Sequence, residues 1–217
     1  MRRNYLHNKF LGNDYVFSVL TKLFSVVVGV FHAAFLARFL GPELKGLSAS
    51  ITSIVSVGCI VVTCGIHQAF PYYRKKDSSQ NFLNKFCSTV LIVYSVLFIL
   101  AGIISILIPA GIVIKVSILL IPLFGYETII NYVFLIEYPK KRNLTNLIAS
   151  FTETIVLLLF WILLQPNNFL MIIGISIAII IRAIGSTIFV RFSFVCKELN
   201  FRYLWKLLKF GWIPMIA

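Results

Sequence analysis

The chain has 217 residues, of which 59% are hydrophobic and only 12% charged, and its mean hydropathy is +0.95. These values exclude an ordinary soluble domain and point to an integral membrane protein. The net charge of +13, from 20 Lys and Arg against 7 Asp and Glu, would suggest nucleic acid in a soluble protein. Here the basic residues gather at the ends of apolar runs, so they report topology first and an anionic ligand second, with no nucleic-acid partner expected.

The expected fold class is all-α: a polytopic transmembrane helix bundle of six spans with the start of a seventh. The opening "MRRNYLHNKF" is basic, like the start of a signal peptide. The apolar run after it, Tyr15–Ala37, is longer than a signal h-region of about 7–15 residues, so it is read as an uncleaved first span. The further spans are Leu47–Ala69, Phe86–Ile108, Ile112–Glu137, Leu144–Leu164 and Phe169–Val190. Each has roughly the 20 residues that a bilayer core demands. Residues 1–193 thus make one six-span unit, and 211–217 open a seventh apolar run.

Between them, 194–210 is too charged to span. Phe201, Leu204, Trp205 and Leu208 fall on one helical face and Arg202, Lys206 and Lys209 on another, the pattern of an interfacial helix that meets anionic membrane lipids. An ordinary amphipathic linker would look the same.

The connections differ in charge. Fifteen basic residues lie on one side: at the N-terminus, in "YYRKKDSSQNFLNK", in Lys140–Arg142 and after the sixth span. Three, Arg38, Lys45 and Lys115, lie on the other. The positive-inside rule therefore puts the N-terminus in the cytoplasm, and "ARFLGPELKG" becomes an outward turn joining spans one and two.

Polar groups inside the spans are the candidate functional residues, because hydrocarbon penalises them unless they face protein or water. In span one, Asp14, Ser18, Lys22, Ser25, Gly29 and His32 recur every three or four residues. In span two, Thr52, Ser56, Cys59, Thr63 and His67 do the same. Tight helix packing accounts for the small members, but not for Lys22, which suits a cavity or an ion pair. Arg182 in span six, Glu127 in span four (with Asn131 one turn on) and Glu153 in span five (with Ser150 and Asn146 on its side) complete a mid-depth set.

Two arrangements are open. In one, Glu127 or Glu153 pairs with Arg182 and the set holds the bundle together. In the other, Lys22 and Arg182 line a hydrated cavity for an anionic headgroup, and the carboxylates couple transport to H+ or Na+. His32 and His67, both near the outer face, read as structural. The four cysteines have no CxxC spacing and the histidines form no cluster, so neither a disulfide framework, a metal nor a cofactor is expected. No phosphate loop, HExxH or nucleophile elbow is present, which argues against an enzyme.

The stretch "LARFLGPELKGLSASITSIVSVGCIVVTCGIHQAFPYYRKK" resembles the N-terminal signature of bacterial polysaccharide flippases in the multidrug/oligosaccharidyl-lipid/polysaccharide exporter superfamily. The matching positions are Arg38, Gly41, Pro42, Glu43, Gly46, Gly65, Gln68 and Ala69; Lys45 departs from the pattern. The resemblance covers Phe35 to Lys76 specifically and the rest loosely.

It implies one lobe of a MATE-like two-lobe transporter in the bacterial cytoplasmic membrane, here an N-terminal half. The implied cargo is an undecaprenyl-pyrophosphate-linked oligosaccharide, with Lys22 and Arg182 attracting the pyrophosphate. In that frame Gly41 and Pro42 end a helix, Gly46 relaxes the next entry, and Arg38 sits at the outer interface. A drug or organic-cation exporter of the same fold and a non-transporting membrane protein are the alternatives.

Overall fold

A computed structural model describes residues 2–39, 41–163, 168–194 and 205–211. They form seven long helices, α1 Arg2–Phe39, α2 Gly41–Thr63, α3 Ile66–Lys76, α4 Gln80–Leu107, α5 Ile112–Glu137, α6 Pro139–Leu163 and α7 Asn168–Val190. Residues 205–211 make a further helical turn. The chain is all-helical, with no strand among the described residues. Among the described residues four helices are long and apolar enough to cross a membrane: α2, α4, α5 and, in α7, Ile172–Val190. In α1 the apolar part is the shorter Val19–Phe35, and α6 begins with Lys140, Lys141 and Arg142 and carries Glu153. Side chains such as Val30, Phe31, Ile106 and Ile162 stand well exposed on the outer faces, a pattern that suits lipid contact and is rare on soluble monomers.

Several expected bounds move. α1 starts at Arg2 rather than Tyr15; at 1.5 Å per residue its 38 residues run about 57 Å, longer than the ~30 Å hydrocarbon core. The junction expected as an outward turn is tighter than "ARFLGPELKG" suggests. Helix persists to Phe39 and resumes at Gly41, whose φ of 74° lies in the left-handed region. A Cβ there would meet open space, so backbone conformation is what asks for glycine. Pro42 follows in the first turn of α2, where its missing N–H leaves nothing unpaired, and Glu43 lies in the same positive first turn. Gly46 is inside α2, not at a helix entry.

The expected second span is two helices. Cys64 (φ 43°) and Gly65 (φ 68°) are both left-handed and break it between α2 and α3. Gly65 lies against the Gly211 carbonyl so closely that no side chain fits. The carbonyls freed at the break are answered locally: Cys64 N donates to Ile60 O at 3.3 Å, Cys64 Sγ to Val61 O at 2.8 Å, and Tyr94 Oη to Val62 O at 3.1 Å. Such repair is what lets a helix break within a membrane-length segment. The stripe Thr52–Ser56–Cys59–Thr63–His67 is split as a result. The packed face of α2 is Ile51, Val55, Cys59 and Thr63, while Thr52 and Ser56 are exposed. Thr52 spends its hydroxyl on Ser48 O.

α5 is the central helix and packs against α2, α4 and α7, while α6 joins α1 to α7. Close approach is made at small residues: a Cβ on Gly58 would strike Ile121, one on Gly125 would strike Tyr94, and one on Gly174 would strike Leu157. The main core gathers Phe70, Phe86, Ile129, Ile130, Val133 and Phe134, and a second cluster joins Ile51, Val55, Leu120, Ile172 and Ile179. In 205–211 the packed side is Leu207, fully buried, with Leu208 and Phe210 beside it, and Trp205 is 62% exposed. Of the expected face of Phe201, Leu204, Trp205 and Leu208, only Trp205 and Leu208 are described; Phe201, Arg202 and Leu204 lie outside the described residues. At this end Arg74 of α3 grips Glu137 of α5 with two bonds, 2.6 and 3.1 Å, and Ser79 caps α4 by accepting from Phe82 N.

Candidate functional site

The polar residues of α5, α6 and α7 converge. Glu127 of α5 is 4% exposed. It accepts from Asn131 Nδ2 at 2.8 Å and faces Arg182 Nε of α7 at 3.8 Å. Asn131 Oδ1 accepts from Arg142 Nε of α6 at 2.7 Å, and its Nδ2 also reaches Asn146 Oδ1 at 3.4 Å. Asn131 thus uses both ends of its amide to bridge a carboxylate and a guanidinium. The chain Arg182–Glu127–Asn131–Arg142 carries two cations and one anion when ionised, a net positive charge held among membrane helices. Arg182 keeps 24% of its side chain exposed, so the cluster is not sealed.

The expected pairing of Arg182 with a carboxylate is made by Glu127 and not by Glu153. Glu153 of α6 instead faces His32 of α1, with Oε1 3.8 Å from Nε2, while His32 Nδ1 lies 3.0 Å from Thr154 Oγ1. His32 is therefore more than a lone interfacial residue. Lys22 is exposed on α1, with no hydrogen-bond or ion-pair partner among the described residues. Ser25 of the same stripe donates to Thr21 O; the side chains of Asp14 and Ser18 lie outside the described ones. Arg38 is exposed at the end of α1, and Gly41, Pro42 and Gly46 take part in the junction only. Among the described residues no group of His, Cys, Asp and Glu could hold a metal ion.

Sequence reasoning counted Arg142 only as a topological charge. The missed signal lay on α6: Arg142 and Asn146 are four apart there, as Glu127 and Asn131 are on α5, so each helix presents two polar groups on one face.

A separate cavity of about 580 Å³ lies between α4, α5 and α7, lined by residues including Leu91, Phe98, Leu123, Ile180 and Ile184. Its few polar groups are already engaged. Tyr94 bonds Val62 O, Ser95 bonds Leu91 O, and Tyr126 pairs with Thr187 at 2.9 Å. It offers a ligand only hydrocarbon. Neither Lys22 nor Arg182 lines it, although Arg182 sits between Ile180 and Ala183, which do.

No family model matches this chain, and neither the curated proteins nor the solved structures contain a match to it. Fold and site together define a multi-pass helical membrane protein with a charged cluster inside its bundle.

Proposed function

We propose that this chain is the N-terminal lobe of a MATE-like lipid-linked oligosaccharide flippase in the bacterial cytoplasmic membrane. On this reading α1, the broken pair α2–α3, α4, α5, α6 and α7 are six spans with the N-terminus in the cytoplasm. The cargo is an undecaprenyl-pyrophosphate-linked repeat unit. The observation that carries the reading is the net positive charge of the Arg182–Glu127–Asn131–Arg142 cluster. A half-buried excess cation among membrane helices is costly unless it meets an anion, and Arg guanidinium suits pyrophosphate geometrically. Lys22, exposed and with no partner among the described residues, adds attraction from α1. The cavity beside α7 gives a lipid tail an apolar surface. The resemblance over Phe35 to Lys76 supports the same assignment.

The test is binding by the purified chain in nanodiscs, comparing a polyprenyl pyrophosphate, the uncharged polyprenol and a lipophilic organic cation. The pyrophosphate should bind best, and Lys22→Gln with Arg182→Gln should weaken it about tenfold or more, as expected for loss of charge-assisted bonds. Equal affinity for polyprenol would refute the role of the cations. Preference for the organic cation would move the chain to the multidrug branch.

A further inference from the structure

The contact between α1 and α6 brings a histidine and a carboxylate together. When Thr154 Oγ1 donates its one hydrogen to Ser150 O, 2.9 Å away, it can only accept toward His32, 3.0 Å away. In that arrangement His32 Nδ1 carries a hydrogen. In a neutral ring the hydrogen on Nδ1 leaves Nε2 with a bare lone pair, and Nε2 is the atom that faces Glu153 Oε1 at 3.8 Å. A lone pair set against a carboxylate is repulsive. One added proton on Nε2 turns the same geometry into an imidazolium–carboxylate pair with a hydrogen on each edge of the ring. Both side chains are largely buried, at 21% and 20% exposure, so water does not screen the difference away.

We propose that His32 and Glu153 bind one exchangeable proton between them, and that this proton holds α1 against α6. The proton arrives from water at Nε2 and leaves by the same route, with no other bond made or broken. When it leaves, a neutral ring and a carboxylate remain, and the contact loosens. Among the described residues α1 packs chiefly on α6 and less on α2. The Phe24–Phe151 ring contact, 5.9 Å between centroids, is the apolar part of the α1–α6 seam.

Other charges do not take the place of this pair. On α1 itself Lys22 and Arg38 are exposed, and α2 brings Glu43 and Lys45, both exposed. On α6 itself the nearest basic group is Arg142, eleven residues away, or about 16 Å along the helix; it is bonded to Asn131, and Lys140 and Lys141 lie beyond it. α5 and α7, which flank α6, bring Lys115 and the mutually paired Glu127 and Arg182. If the chain works as the proposed transporter, the coupling ion is H+ and the moving element is α1. That use rests on the transporter reading, but the site does not.

The experiment therefore needs no transport. Cysteines replacing Val30 on α1 and Ile162 on α6, both well exposed, are spin-labelled in the full chain after its native cysteines are changed to Ala. Their distance distribution is measured in nanodiscs at about pH 5.5 and about pH 8. The close population should dominate at the lower pH. The ratio of close to open populations should fall about tenfold at the higher, the scale of one charge-assisted bond. E153Q and H32Q, which keep side-chain size, should each flatten the response, and T154V should weaken it. An unchanged distribution in the parent chain overturns the proposal, as does a full pH response in E153Q. Should H32Q fail to insert, E153Q and T154V decide alone.

Discussion

Replacing Glu127 with Gln isolates the charge that faces Arg182. The amide keeps an acceptor for Asn131, so the bond from Asn131 Nδ2 at 2.8 Å survives and only the ionic part is lost. Breaking a buried ion pair costs about 3–5 kcal/mol when the survivor stays buried and unpaired. Arg182 is 24% exposed and its Nε stands 3.8 Å from the carboxylate, so water takes up part of its charge. The cost should fall to about 2 kcal/mol, roughly a thirtyfold change in the unfolding equilibrium. Arg182→Gln leaves the better-buried Glu127, 6% exposed, and should cost at least as much. The double substitution should cost about 1–2 kcal/mol less than the sum, because each single already removes the shared term. Reversible unfolding in mixed micelles, followed by circular dichroism, measures all three. Additivity within about 0.3 kcal/mol would mean that the two residues do not act as a pair.

Gly65→Ala should destabilise by about 2 kcal/mol or more in the same assay, since it combines a left-handed φ of 68° with a clash against Gly211. Gly29→Ala, where a Cβ meets nothing within 4 Å, should instead be neutral or stabilise by up to about 1 kcal/mol. Ser79→Ala removes the α4 cap and should cost about 1 kcal/mol. Asp77 is held below the ordinary carboxylate range by the Ser79 side chain, then by the bond it accepts from Ser79 N, and less by Arg74. Its stabilisation is present above the ordinary range and fades as pH falls through the depressed value. Unfolding of D77N should therefore show a smaller loss of stability on acidification than the parent chain, the difference appearing below the ordinary carboxylate range.

Helix α5 shows how far periodicity and hydropathy reach. Ile112–Glu137 is expected and found with the same ends, because Gly111 before it and Tyr138 with Pro139 after it punctuate the run within the chain itself. The membrane class, the all-helical fold and the polar residues inside helices likewise follow from composition and spacing, since lipid tolerates buried polar groups only when they are paired. The break at Cys64–Gly65 is different. The local run Val55–Ala69 reads as continuous helix, and what fixes Gly65 is the distant Gly211 backbone packed against it.

Pairing among the charges also belongs to the tertiary structure. Glu127 and Glu153 look equivalent along the chain, each a carboxylate within an apolar span. Only the packing of α5 on α7 and of α6 on α1 sends the first to Arg182 and the second to His32. A helix's sequence sets which residues share a face, but the partner that a face meets depends on crossings made by residues far away in the chain.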